Sequence, residues 1–425
     1  MDNVTHSVAG LLIAETAVQL RQARARRAAG AGPSPSFRFA AAAAAVVGAN
    51  LPDADLLYTS FAAGRFAYLL HHRGYTHTVP LALLGALLLW GATLALWGSR
   101  AAAGARAAPA TSATPSDRRW LLALLVAALA SHLALDFTNS YGVHPFWPLD
   151  SRWYYGDAVF IIEPWLWVAA VPPLIFATTR RTTRVVLGLV LGGGLALAWG
   201  VSLVAWGAAL ALTVGAALSL ALAARLSPGG RAAAGVAGWL FVTLVFAAST
   251  RAARAVVAAQ AAVTDPAARL VDVVVNPAVA NPLCATAIVV ETAGDRYRVA
   301  TVRAATVPAL LPAERCGAPR SEAAMLRPST RASTPAVRWD RRWDAPLDEL
   351  IALERDNCEV AAMLRFVRVP VWTPAGPAAV DFGDLRYAGT SIRSFAGFRV
   401  ATRPTTCPRA VPPWEPPRAD LLAPG

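Results

Sequence analysis

The chain has 425 residues, of which 56% are hydrophobic and only 15% charged, and it carries a formal net charge of +13. With a positive mean hydropathy, this composition excludes an ordinary water-soluble domain and points to a polytopic membrane protein. Every basic residue is arginine, and up to residue 250 most arginines cluster in short loops between apolar runs, a topology signal rather than a nucleic-acid face.

The N-terminal "MDNVTH" holds Asp2 and His6 and lacks a basic n-region, so it is read as retained rather than as a signal peptide. Runs 3–20 and 38–51 are weak apolar candidates. Stronger ones, near the 20 residues that a span needs, lie at 79–98, 120–137, 159–177 and 232–250. A double-length run at 185–224 is expected to be a hairpin of two spans, with glycines and Trp206 at its centre. The Ala-rich stretch 101–113 reads as a loop. After Arg251, "LVDVVVNPAVANPLCATAIVVETAGDRYRVATV" and "VDFGDLRYAGTSIRSFAGFRVATR" read as short strands between Asn, Pro and Gly turns. The expected fold is therefore mainly α: a helical membrane bundle of about 6–8 spans with a smaller β-rich C-terminal domain outside the membrane. The expected layout is 1–177 for a membrane-embedded catalytic domain, 178–250 for further spans and 251–425 for the β-rich domain.

Arginine clusters at 21–27, 100–119, 180–184 and 225–231 mark cytoplasmic loops, which sends the residues at the other helix ends to the extracytoplasmic side. Those residues include His6, Asp53, Asp55, His71, His72, His77, His132, Asp136 and His144. All four cysteines follow residue 250, and in an oxidising compartment they allow one or two disulfides. Phe146, Trp147, Trp153 and Tyr154 read as an interfacial aromatic belt.

Four segments hold most of the histidines and acids. In "MDNVTH", Asp2 and His6 stand four apart on one expected helix face; in "NLPDADLL", Pro52 ends a helix and presents Asp53 and Asp55 from a turn. "HHRGYTHT" follows, and in "SHLALDFTNSYGVHPFWPLD" His132 and Asp136 stand one helical turn apart. Singly, each has an ordinary structural role. Jointly, imidazoles and carboxylates on one side of a membrane form a ligand set for Zn²⁺, with Mn²⁺ or Fe²⁺ the alternatives. The set exceeds the needs of one tetrahedral ion, so two or more ions are expected.

These four segments resemble the YdjM-like family of bacterial inner-membrane, metal-dependent hydrolases, whose hallmark is HRGxTH[ST], then SHxxxD, then a Gly/Pro-rich turn. The resemblance covers residues 1 to about 177. It implies His6, Asp53, Asp55, His72, His77, His132 and Asp136 as the metal-binding set, with His71 an extra histidine beside His72. In motif order the family is also similar to zinc-dependent phospholipase C. The expected activity is hydrolysis of a phosphoester, lipid-linked given the site's depth, by metal-activated water, with Arg73 and Asp55 as catalytic residues and membrane lipid as the partner. The alternative is a proton- or ion-coupled transporter using the His/Asp cluster as a relay. A carrier needs groups reaching both faces and usually an internal repeat, and the sequence shows neither.

Overall fold

The computed structural model describes residues 1–30, 32–61, 64–103, 113–317 and 323–422. The chain divides into two compact units, one of residues 1–54, 76–138 and 160–245, the other of residues 55–75, 139–159 and 246–425.

The first unit is helical. It holds α1 (Asn3–Arg27), α2 (Pro35–Asn50), and, beyond α3 (Asp55–Phe61) and α4 (Ala67–His71) of the other unit, α5 (Val79–Ala103), α6 (Pro115–Phe137), α7 (Pro164–Ala177), α8 (Arg181–Gly200) and α9 (Trp206–Arg225). The helix α10 (Pro228–Thr264) begins in it. Six described segments are long and apolar enough to cross a bilayer: Pro35–Thr59, Val79–Trp97, Pro115–Phe137, Arg181–Gly200, Trp206–Arg225 and Pro228–Thr264. The 185–224 run does form a helical pair, broken at residues 201–205. Two expectations change. Residues 159–163 are not helical, because Glu163 caps α7 and Pro164 starts it, leaving 14 residues, or about 21 Å. Of the 101–113 loop, residues 104–112 lie outside the described residues, and α5 continues to Ala103.

Small residues set the helix spacing. A β-carbon at Gly10 of α1 would meet the Ala45 carbonyl oxygen of α2 at 2.7 Å, so the two backbones touch where only glycine fits. The arginine-rich end of α1 meets the N-terminal end of α6: Arg21 pairs with Asp117, and the Arg24 guanidinium lies 5.4 Å over Trp120. This shared arginine end agrees with the sorting read from the sequence.

The second unit is built on antiparallel strands: β1 (Arg269–Ala278), β2 (Asn281–Ala293), β3 (Arg296–Ala305), β4 (Arg327–Pro328) and β5 (Val337–Pro346) form one sheet in the order β1-β2-β3-β5-β4. After α11 (Leu347–Asp356) and α12 (Cys358–Met363), β6 (Pro370–Pro374), β7 (Ala379–Asp384) and β8 (Gly397–Ala401) form a second. Gly294, at φ +58°, makes the tight turn between β2 and β3. Ala253, Val257 and Ala261 of α10 pack into the core of the first sheet, so the β-rich region opens with a helix and its strands start only at Arg269. The cysteines form the two pairs Cys284–Cys316 and Cys358–Cys407.

A buried ion network stitches distant segments of this unit. Arg368 bonds both oxygens of Asp157, at 2.9 and 3.0 Å, and Asp272 at 2.9 Å; Arg254 reaches the same two acids. Burial works to raise the Asp272 carboxyl, yet the guanidiniums of Arg368, Arg418 and Arg254 hold it below its usual range.

Candidate metal centre

In the first unit, four ligand atoms from Asp53, His77, His132 and Asp136 all lie within 4.8 Å of one another, and all four residues are buried. Each comes from a local structure that its sequence dictates. Pro52 turns the chain out of α2 into a short 3₁₀ turn, Leu51–Ala54, that carries Asp53. Another 3₁₀ turn, Tyr75–His77, delivers His77 just before α5. His132 and Asp136 share one face of α6.

The contacts fix which ring nitrogen faces the cluster. His132 Nδ1 lies 2.6 Å from the Ala49 carbonyl, which can only accept, so Nδ1 carries the proton and Nε2 presents its lone pair. That Nε2 sits 3.1 Å from His77 Nε2, 3.6 Å from Asp53 Oδ1 and 3.4 Å from Asp136 Oδ2. His77 Nε2 is 3.4 Å from Asp53 Oδ1 and 3.2 Å from Asp136 Oδ2, while its Nδ1 is 3.0 Å from the Thr76 hydroxyl. Met1's amino group also contacts Asp136.

His6 joins this group from α1. Its ring stacks on His132 at 3.8 Å, its Nε2 lies 3.3 Å from Asp136 Oδ1, and it is wholly buried. Neither ring nitrogen makes a hydrogen bond. A buried imidazole with no hydrogen-bond partner costs free energy that a coordinated cation would recover. The two carboxylates and two imidazoles of Asp53, His77, His132 and Asp136 could therefore hold a metal ion, with the His6 ring stacked beside them. Asp2, expected beside His6, instead precedes the helix in extended conformation and caps it, accepting from the Thr5 amide at 2.9 Å and the Thr5 hydroxyl at 2.5 Å.

Asp55, His72 and Arg73 belong to the second unit. Asp55 Oδ1 is 3.0 Å from His72 Nδ1, and its Oδ2 accepts the Arg73 amide at 2.8 Å. Arg73 is buried and holds φ +58°, a left-handed conformation costly for a non-glycine residue. Its guanidinium donates to Asn139 Oδ1 at 3.0 Å and lies 4.6 Å over the Tyr141 ring. Of the adjacent histidines, His72 takes the carboxylate, whereas His71 packs edge-on against Tyr58, and burial lowers its pKa. His144 is clamped between Trp153 and Trp414, with ring centroids 3.7 and 4.1 Å away. The expected aromatic belt is only partly so. Trp153 is buried and donates to the Arg365 carbonyl at 2.6 Å, because a core rich in Phe366 and Tyr141 takes it up. Sequence reading missed Thr76 and Asn139 as supports; both lie inside the quoted motifs, Thr76 beside His77, and Asn139 accepting from Arg73 of the preceding motif.

The comparisons agree with the motifs. Residues 1–209 match the model of the YdjM inner membrane protein family. The match runs past the 177 residues on which the resemblance was read. Comparison with curated proteins and with solved structures gives no match.

Proposed function

We propose that the protein is a membrane-bound, metal-dependent hydrolase acting on a phosphoester. The observation that carries this reading is the group of four buried ligand atoms from Asp53, His77, His132 and Asp136, with the unbonded nitrogens of His6 beside it. The family match supports a membrane setting for it. A bound divalent ion, zinc in the first instance, would supply Lewis-acid polarisation and a water acidic enough to act as a nucleophile near neutral pH.

The chain's own residues hold and orient. His132, its Nδ1 proton engaged by Ala49, offers Nε2; Thr76 steadies His77; Asp53 and Asp136 bring the negative charge that a divalent ion neutralises. By the family resemblance His72 is a further ligand, and Asp55 either bridges metals or supports a ligand from behind. Arg73, propped by Asn139 and Tyr141, takes a phosphoryl oxygen through its guanidinium. The layout proposed with this activity keeps residues 1–177 as the hydrolase, 178–250 as further spans, and 251–425 as an extracytoplasmic domain. Its two disulfide pairs support that placement.

The test is elemental analysis of the purified full-length protein, followed by turnover of a phosphoester panel with and without chelator. Stoichiometric zinc, manganese or iron with chelator-sensitive hydrolysis is expected; metal-free protein, or activity indifferent to chelation, overturns the reading. A reporter fused to the C-terminus checks the topology separately, since cytoplasmic signal would refute the extracytoplasmic placement alone.

A further inference from the structure

A cavity of about 530 Å³ lies between α1, α6 and the first half of α10, all within the first unit. Its wall is aliphatic and aromatic, and its four hydroxyls are all turned inward to their own helices. Thr16 donates to the Leu12 carbonyl at 2.7 Å, Ser131 to Ala128 at 2.7 Å, Thr138 to Leu135 at 2.6 Å and Thr243 to Trp239 at 3.0 Å. A sugar or headgroup would find no uncommitted hydroxyl proton there, whereas hydrocarbon needs none.

The groove's extent and ends narrow the occupant. Its lining on α6 runs from Trp120 to Thr138, about 27 Å at 1.5 Å per residue, close to the ~30 Å hydrocarbon core of a bilayer. A groove that follows α6 for that distance matches an extended hydrocarbon chain lying along the helices. At one end Trp120 lies beneath Arg24. At the other, lining residues Ser131 and Leu135 each adjoin a ligand in sequence, His132 and Asp136, and Ala9 lies one helical turn from His6.

We propose that this groove holds the long hydrocarbon chain of a lipid phosphate substrate, with the ester at the His/Asp group and the chain running toward the arginine end. This assigns the substrate class of the hydrolase site and rests on that reading. Because surrounding lipid is as apolar as the groove, selectivity comes from fit rather than from transfer out of water.

The test uses full-length protein in phosphatidylglycerol nanodiscs doped with phosphatidic acid carrying a diazirine in its acyl chain, with labelled residues mapped by mass spectrometry. Labelling should concentrate severalfold on Leu124 and Trp239 over the exposed Leu87 and Leu88 of α5, and should collapse in Ala127→Trp while bound metal stays unchanged. Ala127→Leu serves as the milder variant should the larger side chain prevent folding. In either, the ratio of turnover of long-chain to short-chain phosphatidic acid should fall about tenfold, ~1.4 kcal/mol. Even labelling along the helices, labelling indifferent to both fillers, or protein-to-protein cross-links lost in Ala127→Trp would overturn the proposal, the last by naming a second copy as occupant. If the wild type hydrolyses neither ester, the reaction reading fails while the labelling still decides the groove.

Discussion

The carbonyl oxygen of Ala49, at the end of α2, lies 2.6 Å from His132 Nδ1 and thereby decides which nitrogen of that ring faces Asp53, His77 and Asp136. A backbone acceptor cannot be removed by substitution, but its counterpart on His77 can. Thr76→Val deletes the hydroxyl 3.0 Å from His77 Nδ1 and should weaken metal binding about 10–100-fold, as losses of such supports do. Competition with a metal-sensitive dye would check it.

His132→Ala and Asp136→Asn should each remove stoichiometric metal from the purified protein without preventing its insertion. Metal content and membrane fractionation, measured on the same preparations, separate the two effects.

His6 allows a sharper test. Its buried nitrogens make no well-aligned hydrogen bond, Nε2 meeting only the Asp136 carboxylate at 3.3 Å, and a buried group so placed is short by about 1–3 kcal/mol. His6→Leu should therefore leave the metal-free unfolding midpoint unchanged or higher while lowering metal affinity. A clear loss of metal-free stability would assign His6 to packing alone.

Much of this was legible in the sequence, for physical reasons. Apolar length marks spans, and a glycine-rich centre marked the helical pair at 185–224; arginine clusters marked one set of helix ends. Imidazoles and carboxylates are costly in a bilayer, so His77, His132, Asp136 and Asp53 could be grouped before any coordinates. Spacing alone misjudged Asp2, because a residue just before a helix turns its carboxylate back to the Thr5 amide rather than along the helix face. It misjudged Trp153, whose burial depends on Phe366 and on a carbonyl 212 residues away. Nor could it pair Asp157 with Arg368, 211 residues apart.

That pair makes a prediction for the second unit. Arg368→Met leaves Asp157 and Asp272 buried beside too little positive charge and should cost about 3–5 kcal/mol in denaturant unfolding of the full chain. Because the folded Asp272 carboxyl titrates below its unfolded value near 4, its contribution is present above that value. It disappears as pH falls through the lowered folded value, so the wild type should lose stability below about pH 4 and the variant should lose less.

The bridge Cys358–Cys407 closes a loop with a sequence separation of 49. Cys358→Ser with Cys407→Ser should lower stability by about 2–4 kcal/mol, and reductant should shift the melting of the wild type but not of a protein already lacking both bridges.

One missing carbon atom governs the bore of the ligand set. Gly10 sits a single turn from His6, and its contact at Ala45 lies one turn before Ala49, the residue that orients His132. A methyl group at Gly10 would wedge α1 away from α2, carrying the His6 ring off on one helix while the Ala49 carbonyl stays on the other. Two ligands that never bond to each other are thus gauged by the same backbone contact, and widening it would detune both together.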